Sequence, residues 1–505
     1  MALTYRLTNP NYTIYHRAAL GGLAATIQAW EDNQPEGIQA TFKSDVVEIT
    51  WDRAITEQEA LRRILEASFK LTEDKLIDLP GQFIGEDRVD LRLAIHEGLC
   101  LTFLQHNKMR PGEKTPRIFP LKIEDAETAN LITYKAINSY AHQRAQGTGL
   151  LDVNRGEAGR FGQIATIPQS IIPGAMTGKK ALQTTPEEAI LLLYLMVGCA
   201  VFLLRPRTYK EKALACIVVP DVTDLLDFAD SIRSLTSSSQ NFSNSNTYLG
   251  RVVGGAQEAA LSFLIDLEAN DIAASPGVSG CQVIAMGKVA WDKNQINRSI
   301  TVKIRGRYPE INIFRAANQY LRRSKLIKTS DGKSYAIPHS PVPELVAANL
   351  AADRHWCANF TTLVSEKKDF NRMLFQRGGL NQMANAIRDE DDKAIIKAFH
   401  KAWEMTMGEL GDRAKEKNLD FNRLVEVRRE KIRNEILRAK TPGALASWFL
   451  QFCLNATKGN VLVPIREDAE RIRAFVFNPR NFDRFQNLLL FALLSYASDT
   501  SKNEN

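Results

Sequence analysis

The stretch KVAWDKNQINRSITVKIRGRYPEINIFRAANQYLRRSKLIKTSDGK, residues 288–333, holds twelve Lys and Arg against three Asp and Glu. That local excess is larger than the net charge of +7 carried by all 505 residues, so the remainder of the chain is slightly acidic. Ser299, Thr301, Lys303 and Arg305 alternate with Ile300, Val302 and Ile304, the period of two that a strand with one buried face imposes. Its open face is basic. After a turn at 306–309, Ile311, Phe314, Ala317, Tyr320 and Leu321 recur at helical spacing, while Arg315, Arg322, Arg323 and Lys325 fall on the other sides. Residues 326–337 then read as a hairpin turning at Asp331-Gly332.

Strand, helix and basic hairpin, residues 298–337, resemble a winged-helix unit. Its cations Arg305, Arg307, Arg322, Arg323 and Lys325 suit nucleic-acid phosphates, and a solvated, charge-rich face is the alternative. Length predicts two or three domains. With 44% hydrophobic and 24% charged residues the composition is that of an ordinary soluble globular protein, and a pI of about 8.9 permits a nucleic-acid partner. The six cysteines are scattered, with no CxxC pair, metal-ligand spacing or disulfide framework, which suits a reducing cytoplasm. Residues 1–11 lack a basic segment followed by an apolar run, so no signal peptide is expected. The best membrane candidate, 189–204, contains Gly198 and Cys199 and is shorter than the roughly twenty residues of a span. It reads as a buried helix, and no membrane partner is expected.

In chain order, 15–30 is a helix with Leu20, Leu23, Ile27 and Trp30 on one face, where Gly21, Gly22, Ala24 and Ala25 permit close approach of another element. Residues 39–51 read as a strand, 56–69 as a helix capped by Thr56 with Glu59 three residues on, 91–105 as a strand or helix, and 125–145 as a long helix. The front is therefore mixed α/β. Residues 147–180 are rich in Gly, Pro and Thr, a candidate binding loop ending in Lys179 and Lys180. Arg205 and Arg207 follow the apolar run, a strand is expected at 213–219 and a helix at 222–235. Residues 236–247 are almost wholly Ser, Asn, Gln and Thr. Asn241, Asn244, Asn246 and Arg251 suit base edges or sugars, and a disordered linker accounts for the composition equally well. Past Pro338, Pro341 and Pro343 only helical periods remain, so the expected class is α+β: a mixed α/β nucleic-acid-binding region to 343, then a helical bundle over 344–505. Asp389, Glu390, Asp391 and Asp392 announce a helix with an apolar stripe from Ile387 to Met407, and the next helix carries Arg428, Arg429 and Arg433. Trp448 and Phe449 read as core.

Enzyme motifs fail on inspection. Gly174 to Lys179 is one residue short of a phosphate loop, and Lys180 stands where a Ser or Thr would hold magnesium. Gly277-Val278-Ser279-Gly280-Cys281 lacks the last glycine of a nucleophile elbow. The seven histidines are dispersed without an adjacent Asp, and the acids at 389–392 are explained by a helix's first turn. No catalytic residue, cofactor or metal is expected.

The run Tyr15-His16-Arg17-Ala18-Ala19-Leu20-Gly21-Gly22-Leu23-Ala24-Ala25, with the length and domain order, is similar to Myxan-type, I-B-related large subunits of the type I CRISPR surveillance complex, Cascade. The resemblance implies a non-catalytic subunit whose amino-terminal region holds the 5′ handle of the guide RNA (crRNA) and reads the PAM in double-stranded target DNA. Its helical tail would resemble the small subunit and guide the separated strands of the R-loop. The implied partners are the backbone, handle-binding and small subunits, and a recruited helicase-nuclease or transposition proteins. PAM reading is assigned to Asn241, Asn244, Asn246 and Arg251. The resemblance further implies an internal translation start, for which Met373 and Met383 stand in place; Arg377-Gly378-Gly379 can be encoded by a purine-rich ribosome-binding sequence before Met383. A winged-helix transcription regulator and a metal-dependent nuclease are the alternatives.

Overall fold

The computed structural model describes residues 2–31, 33–86, 88–104, 111–121, 130–143, 186–204, 214–237, 252–269, 277–285, 301–305, 310–321, 326–328, 334–336, 340–457 and 462–497. The expected class holds: a front of small sheets and helices, then a run of helices without a strand among the described residues from 340 onward. Two compact units divide the chain, Met1–Arg307 and Tyr308–Asn505.

The first unit is organised around the helix Ile14–Trp30, whose residues from Ala18 to Ile27 are all buried or nearly so. Strands β1 (Ala2–Arg6), β2 (Ile38–Phe42) and β3 (Val46–Trp51) form an antiparallel sheet in the order β1-β3-β2. Leu3, Tyr5, Ile38, Ala40, Val47 and Ile49 face the core, while Thr4, Gln39 and Glu48 alternate outward. Residues 39–51, expected as one strand, are thus a hairpin. The polar turn Lys43-Ser44-Asp45 breaks the run, with the Lys43 amide donating to the Val46 carbonyl at 2.8 Å. The Thr56 cap is present, its hydroxyl accepting from the Glu59 amide at 3.2 Å.

Short strands β4 (Lys70–Leu71) and β5 (Ile77–Asp78) pair, as do β6 (Arg117–Leu121) and β7 (Asn130–Tyr134). The last pair corrects the long helix expected over 125–145. Ile132 and Tyr134 lie with Phe119 on the cluster of Leu76, Leu93 and Ala136, and the alternating Leu131 is 70% exposed, the period of a ribbon with one buried face.

A five-stranded sheet follows: β8 (Ala200–Leu204), β9 (Leu214–Val222), β10 (Val252–Val253), β11 (Val278–Ala285) and β12 (Thr301–Arg305), in the order β10-β8-β9-β11-β12. Only the β10–β8 pair is parallel. The run 189–204 is therefore not one helix. It is Pro186–Leu193, then Leu195–Gly198, then strand β8. A wholly buried apolar run carries no period with which to choose, and the contact at Gly198 decides it. A Cβ there would stand 1.9 Å from the Ala18 carbonyl oxygen, and one on Gly22 would stand 2.3 Å from that of Tyr194. The close approach expected of the glycines in 15–25 is thus met backbone to backbone. Arg17 completes the anchor, its Nε donating to Asp221 at 2.7 Å at the end of β9.

In the second unit the helix Ile311–Leu321 packs on Val342–Ala351 and Arg377–Ala386. The residues of the winged-helix-like unit are divided between the two units. Its strand β12 pairs with β11 in the first unit, while its helix falls in the second. Within that helix Ile313 and Ala316 are buried and Tyr320 is exposed, a rotation of the expected face. Strands β13 (Leu326–Lys328) and β14 (Ser334–Ala336) do pair as a hairpin; its Asp331-Gly332 turn lies outside the described residues. The long helix Glu390–Lys417 and the final helix Phe482–Ser495, with Leu488 to Leu494 all buried, carry the core of the bundle. Phe449 is core as expected, whereas Trp448 is half-buried and donates its indole N–H to Glu435 at 2.9 Å. Among the described residues no helix is long and apolar enough to cross a membrane.

Candidate nucleic-acid interface

Of the residues expected to meet nucleic acid, Lys179, Lys180, Arg205, Arg207, Asn241, Asn244, Asn246, Arg251, Arg307, Arg322, Arg323 and Lys325 lie outside the described residues. Arg305 ends β12, the last strand in the sheet order, where its backbone pairs with Gly280. The other three sit on the helix Phe421–Arg438, which Asp420 starts by accepting from the Asn422 amide at 2.9 Å.

Helical spacing sorts these three. Arg429 and Arg433, four apart, share one face, and that face turns inward. Arg433 is 5% exposed, lies over the Phe370 ring at 5.3 Å, and donates to the Val364 and Ser365 carbonyls at 3.3 and 3.4 Å. It binds the end of a neighbouring helix to this one, which corrects its assignment to nucleic acid. Arg429 lies over the Trp403 ring at 5.4 Å; burial, then the like charge of Arg377, pushes its guanidinium down to about 10. Arg428 is half-buried and has no ion pair among the described residues.

A basic row that the apolar stripe of the helix Glu390–Lys417 does not announce lies on another of its faces. Lys393, Lys397 and Lys401, each four residues from the next, line a cleft of about 620 Å³ with Arg466 and His400. The spacing was legible; that Arg466 joins the row was not. Each lysine has a carboxylate neighbour: Glu390 at 2.7 Å for Lys393, Glu467 for Lys397, and Glu404 at 2.9 Å for Lys401. Such exposed pairs are weak and exchangeable. Burial pushes His400 down to about 4, against the partial support of its bond to the Ala492 carbonyl at 3.0 Å.

The acids at 389–392 do begin the helix, Asp389 accepting from the Asp391 and Asp392 amides at 2.9 and 3.0 Å. Asp392 does more. It is 0% exposed; one oxygen takes Arg484 Nε at 2.9 Å and Nη2 at 2.7 Å, the other takes His355 Nε2 at 2.9 Å and Trp356 Nε1 at 2.8 Å. No histidine has an Asp adjacent in sequence; His355 meets this one across 37 residues. Burial alone would raise the Asp392 carboxyl, but His355, Arg484 and Trp356 outweigh it and hold the group below its ordinary value. Glu310, near His355 at 3.8 Å, is raised by burial.

Glu310, His355 and Asp392 are close enough together to suggest a metal. The donor set does not fit one. Both Asp392 oxygens are filled, Arg484 already supplies the cation, and the Cys357 amide donates to His355 Nδ1 at 3.3 Å, leaving the Nε2 hydrogen toward Asp392.

Residues 4–193 match the model of the DevT N-terminal domain, and residues 383–505 that of the DevT C-terminal domain. The chain is also 24% identical over 536 residues to the CRISPR-associated protein Cas8a1/Csx13 of Myxococcus xanthus (strain DK1622), an alignment spanning 98% of this chain and 88% of that protein. The run Tyr15 to Ala25 falls inside the first match.

Proposed function

This chain belongs to the DevT-type, Myxan-type large subunits of CRISPR-associated complexes, and from that premise we propose that it works without catalysis in guide-RNA-directed recognition of double-stranded DNA. The supporting observation is that the relation to Cas8a1/Csx13 runs through nearly the whole of both chains, so both units descend together. In this reading the amino-terminal unit and its loops hold the 5′ handle of the guide RNA and read the PAM. The helical unit lies along the opened strands and stabilises the R-loop, and the assembled subunits recruit a helicase-nuclease or transposition proteins.

Expression with the neighbouring genes tests the reading directly. A guide RNA and partner subunits should co-purify with the chain, and the complex should retain PAM-bearing duplex over duplex without it; a bare homodimer showing no such preference would overturn it. Removing charge at Arg305, Arg307, Arg322, Arg323 and Lys325 should flatten the salt dependence by about 0.7 to 0.9 per lost phosphate contact. Alanines at Asn241, Asn244 and Asn246 should change preference at one or two base pairs, each by about 1 to 3 kcal/mol. An unchanged profile moves the reader elsewhere.

The DevT C-terminal match begins at residue 383, the methionine that follows Arg377-Gly378-Gly379. We include a separate small subunit begun there, or at Met373, in the proposal. Changing both methionines to Leu should remove a short carboxyl-terminal chain from the complex, and its persistence would refute those starts.

A further inference from the structure

We propose that a second pocket of about 620 Å³ in the carboxyl-terminal unit binds a free nucleoside monophosphate, with the phosphate on Arg354 and Arg388. The start of Ile311–Leu321, the end of Val342–Ala351 with the turn after it, and the end of Arg377–Ala386 enclose it. Its floor is apolar, with Ile313 and Leu350 buried, and its rim carries both signs of charge. Two acids of that rim are engaged elsewhere. Glu310 accepts from the Trp356 amide at 3.3 Å, and Asp389 accepts from Arg484 Nη2 at 2.7 Å besides the two amides of its own helix. The cations are not so engaged. Among the described residues the Arg354 side chain has no hydrogen bond or ion pair, and Arg388 meets only the neutral side-chain oxygen of Asn312, at 2.7 Å in the amide orientation that satisfies both.

The turn that bears Arg354 is fastened from its inner side. Asn349, 2% exposed, donates to the Trp356 and Ala358 carbonyls at 3.0 and 2.6 Å, while the His355 and Trp356 rings both end on Asp392. Asp353 enters the turn in the left-handed region, at a φ of 52°. An exposed guanidinium on so constrained a turn is already in place, which lowers the ordering cost of binding. Mixed charge then selects the ligand. A bare anion would meet Glu310, Asp353 and Asp389 across the same space as the two arginines, and an apolar molecule would leave both arginines unmet. A nucleoside monophosphate carries a dianion that matches the planar forks of arginine, ribose hydroxyls that donate to carboxylates, and a flat base for the Ile313 and Leu350 floor. The volume lies within the roughly 300–1,000 Å³ of small-molecule sites, and an amino acid would leave most of it to water. The inference does not depend on the proposed function, since its ligand is a small molecule and its residues lie in one unit.

The test titrates the full-length chain by calorimetry with AMP, GMP, CMP and UMP, the matching nucleosides, inorganic phosphate and a 5′-phosphorylated oligo-dT. At least one monophosphate should bind and raise the melting temperature, and its nucleoside and inorganic phosphate should each bind about tenfold or more weakly. Arg354→Gln and Arg388→Gln, both at exposed positions, should each weaken that monophosphate about tenfold while the unliganded melting temperature stays at the parent's value. Arg354→Lys should recover part of the lost binding. The inference is overturned if no monophosphate binds at millimolar concentration, or if both glutamine variants bind it as the parent does. Inorganic phosphate binding as well as the nucleotide would leave an anion site only, and would overturn the ligand class. Tighter, arginine-dependent binding of the oligonucleotide would make the occupant a strand end, and would overturn the free nucleotide.

Discussion

The amino-terminal unit closes on contact between backbones, and the carboxyl-terminal unit closes on a buried charge. In the first, Gly22 and Gly198 let the helix Ile14–Trp30 and the turn before β8 meet with no room for a methyl group on either. In the second, Asp392 gathers Arg484, His355 and Trp356 from separate helices and loops, with every oxygen used. Steric fit is intolerant of added atoms and indifferent to pH; a charged hub tolerates shape and responds to the loss of any one partner. The same distinction explains why the first unit is recognisable from its small residues and the second is not.

The largest effect should come from the steric side. Gly198→Val drives a side chain into the Ala18 carbonyl and should cost more than about 4 kcal/mol, leaving the second unit protease-resistant while the first is digested. A soluble, fully resistant variant would break the comparison.

Next is the hub. Asp392→Ala leaves Arg484 without its principal buried partner and should cost about 3 to 5 kcal/mol in urea unfolding, more than the double variant with Arg484→Met. Equal losses in the single and double variants would show that charge is not what the site depends on.

Acid should act on both units, through one buried histidine in each. His400 is held down to about 4 and His142, buried in the first unit, down to about 3 by burial, so both fold as neutral rings. Their contribution is present above the ordinary value near 6.5 and is lost as pH falls through the folded values. For His400 the loss amounts to about 3 kcal/mol at completion. Asp392 has the same sign but lies lower, its contribution being lost only as pH falls below the ordinary aspartate range. Urea midpoints at neutral pH and near pH 4.5 should therefore converge for His400→Gln relative to the parent; parallel curves would clear this histidine. The smallest effect belongs to the cap: Thr56→Ala should cost about 1 kcal/mol, read in the same assay.

Legibility followed the range of the interactions. The helix near 15–30, the Thr56 cap, the acidic start of Glu390–Lys417 and the strand ending at Arg305 were readable because period and capping act within a few residues. The 125–145 run failed because its strand is selected by a partner strand and a hydrophobic cluster, and 189–204 failed because burial on all sides erases period. Arg433 looked like its neighbour Arg428 in one dimension, and only its position over Phe370 separates structure from interface.

By itself the sequence determined the α+β class, the helical second half, the excess of positive charge in 288–333 and the small-residue run that carries the family likeness, all properties of composition and local spacing. The tertiary structure decided the division at Arg307, the meeting of Gly22 with Gly198 and the Asp392 hub. Each of these joins residues far apart along the chain, where the gain on contact is set by burial and geometry that no local pattern encodes.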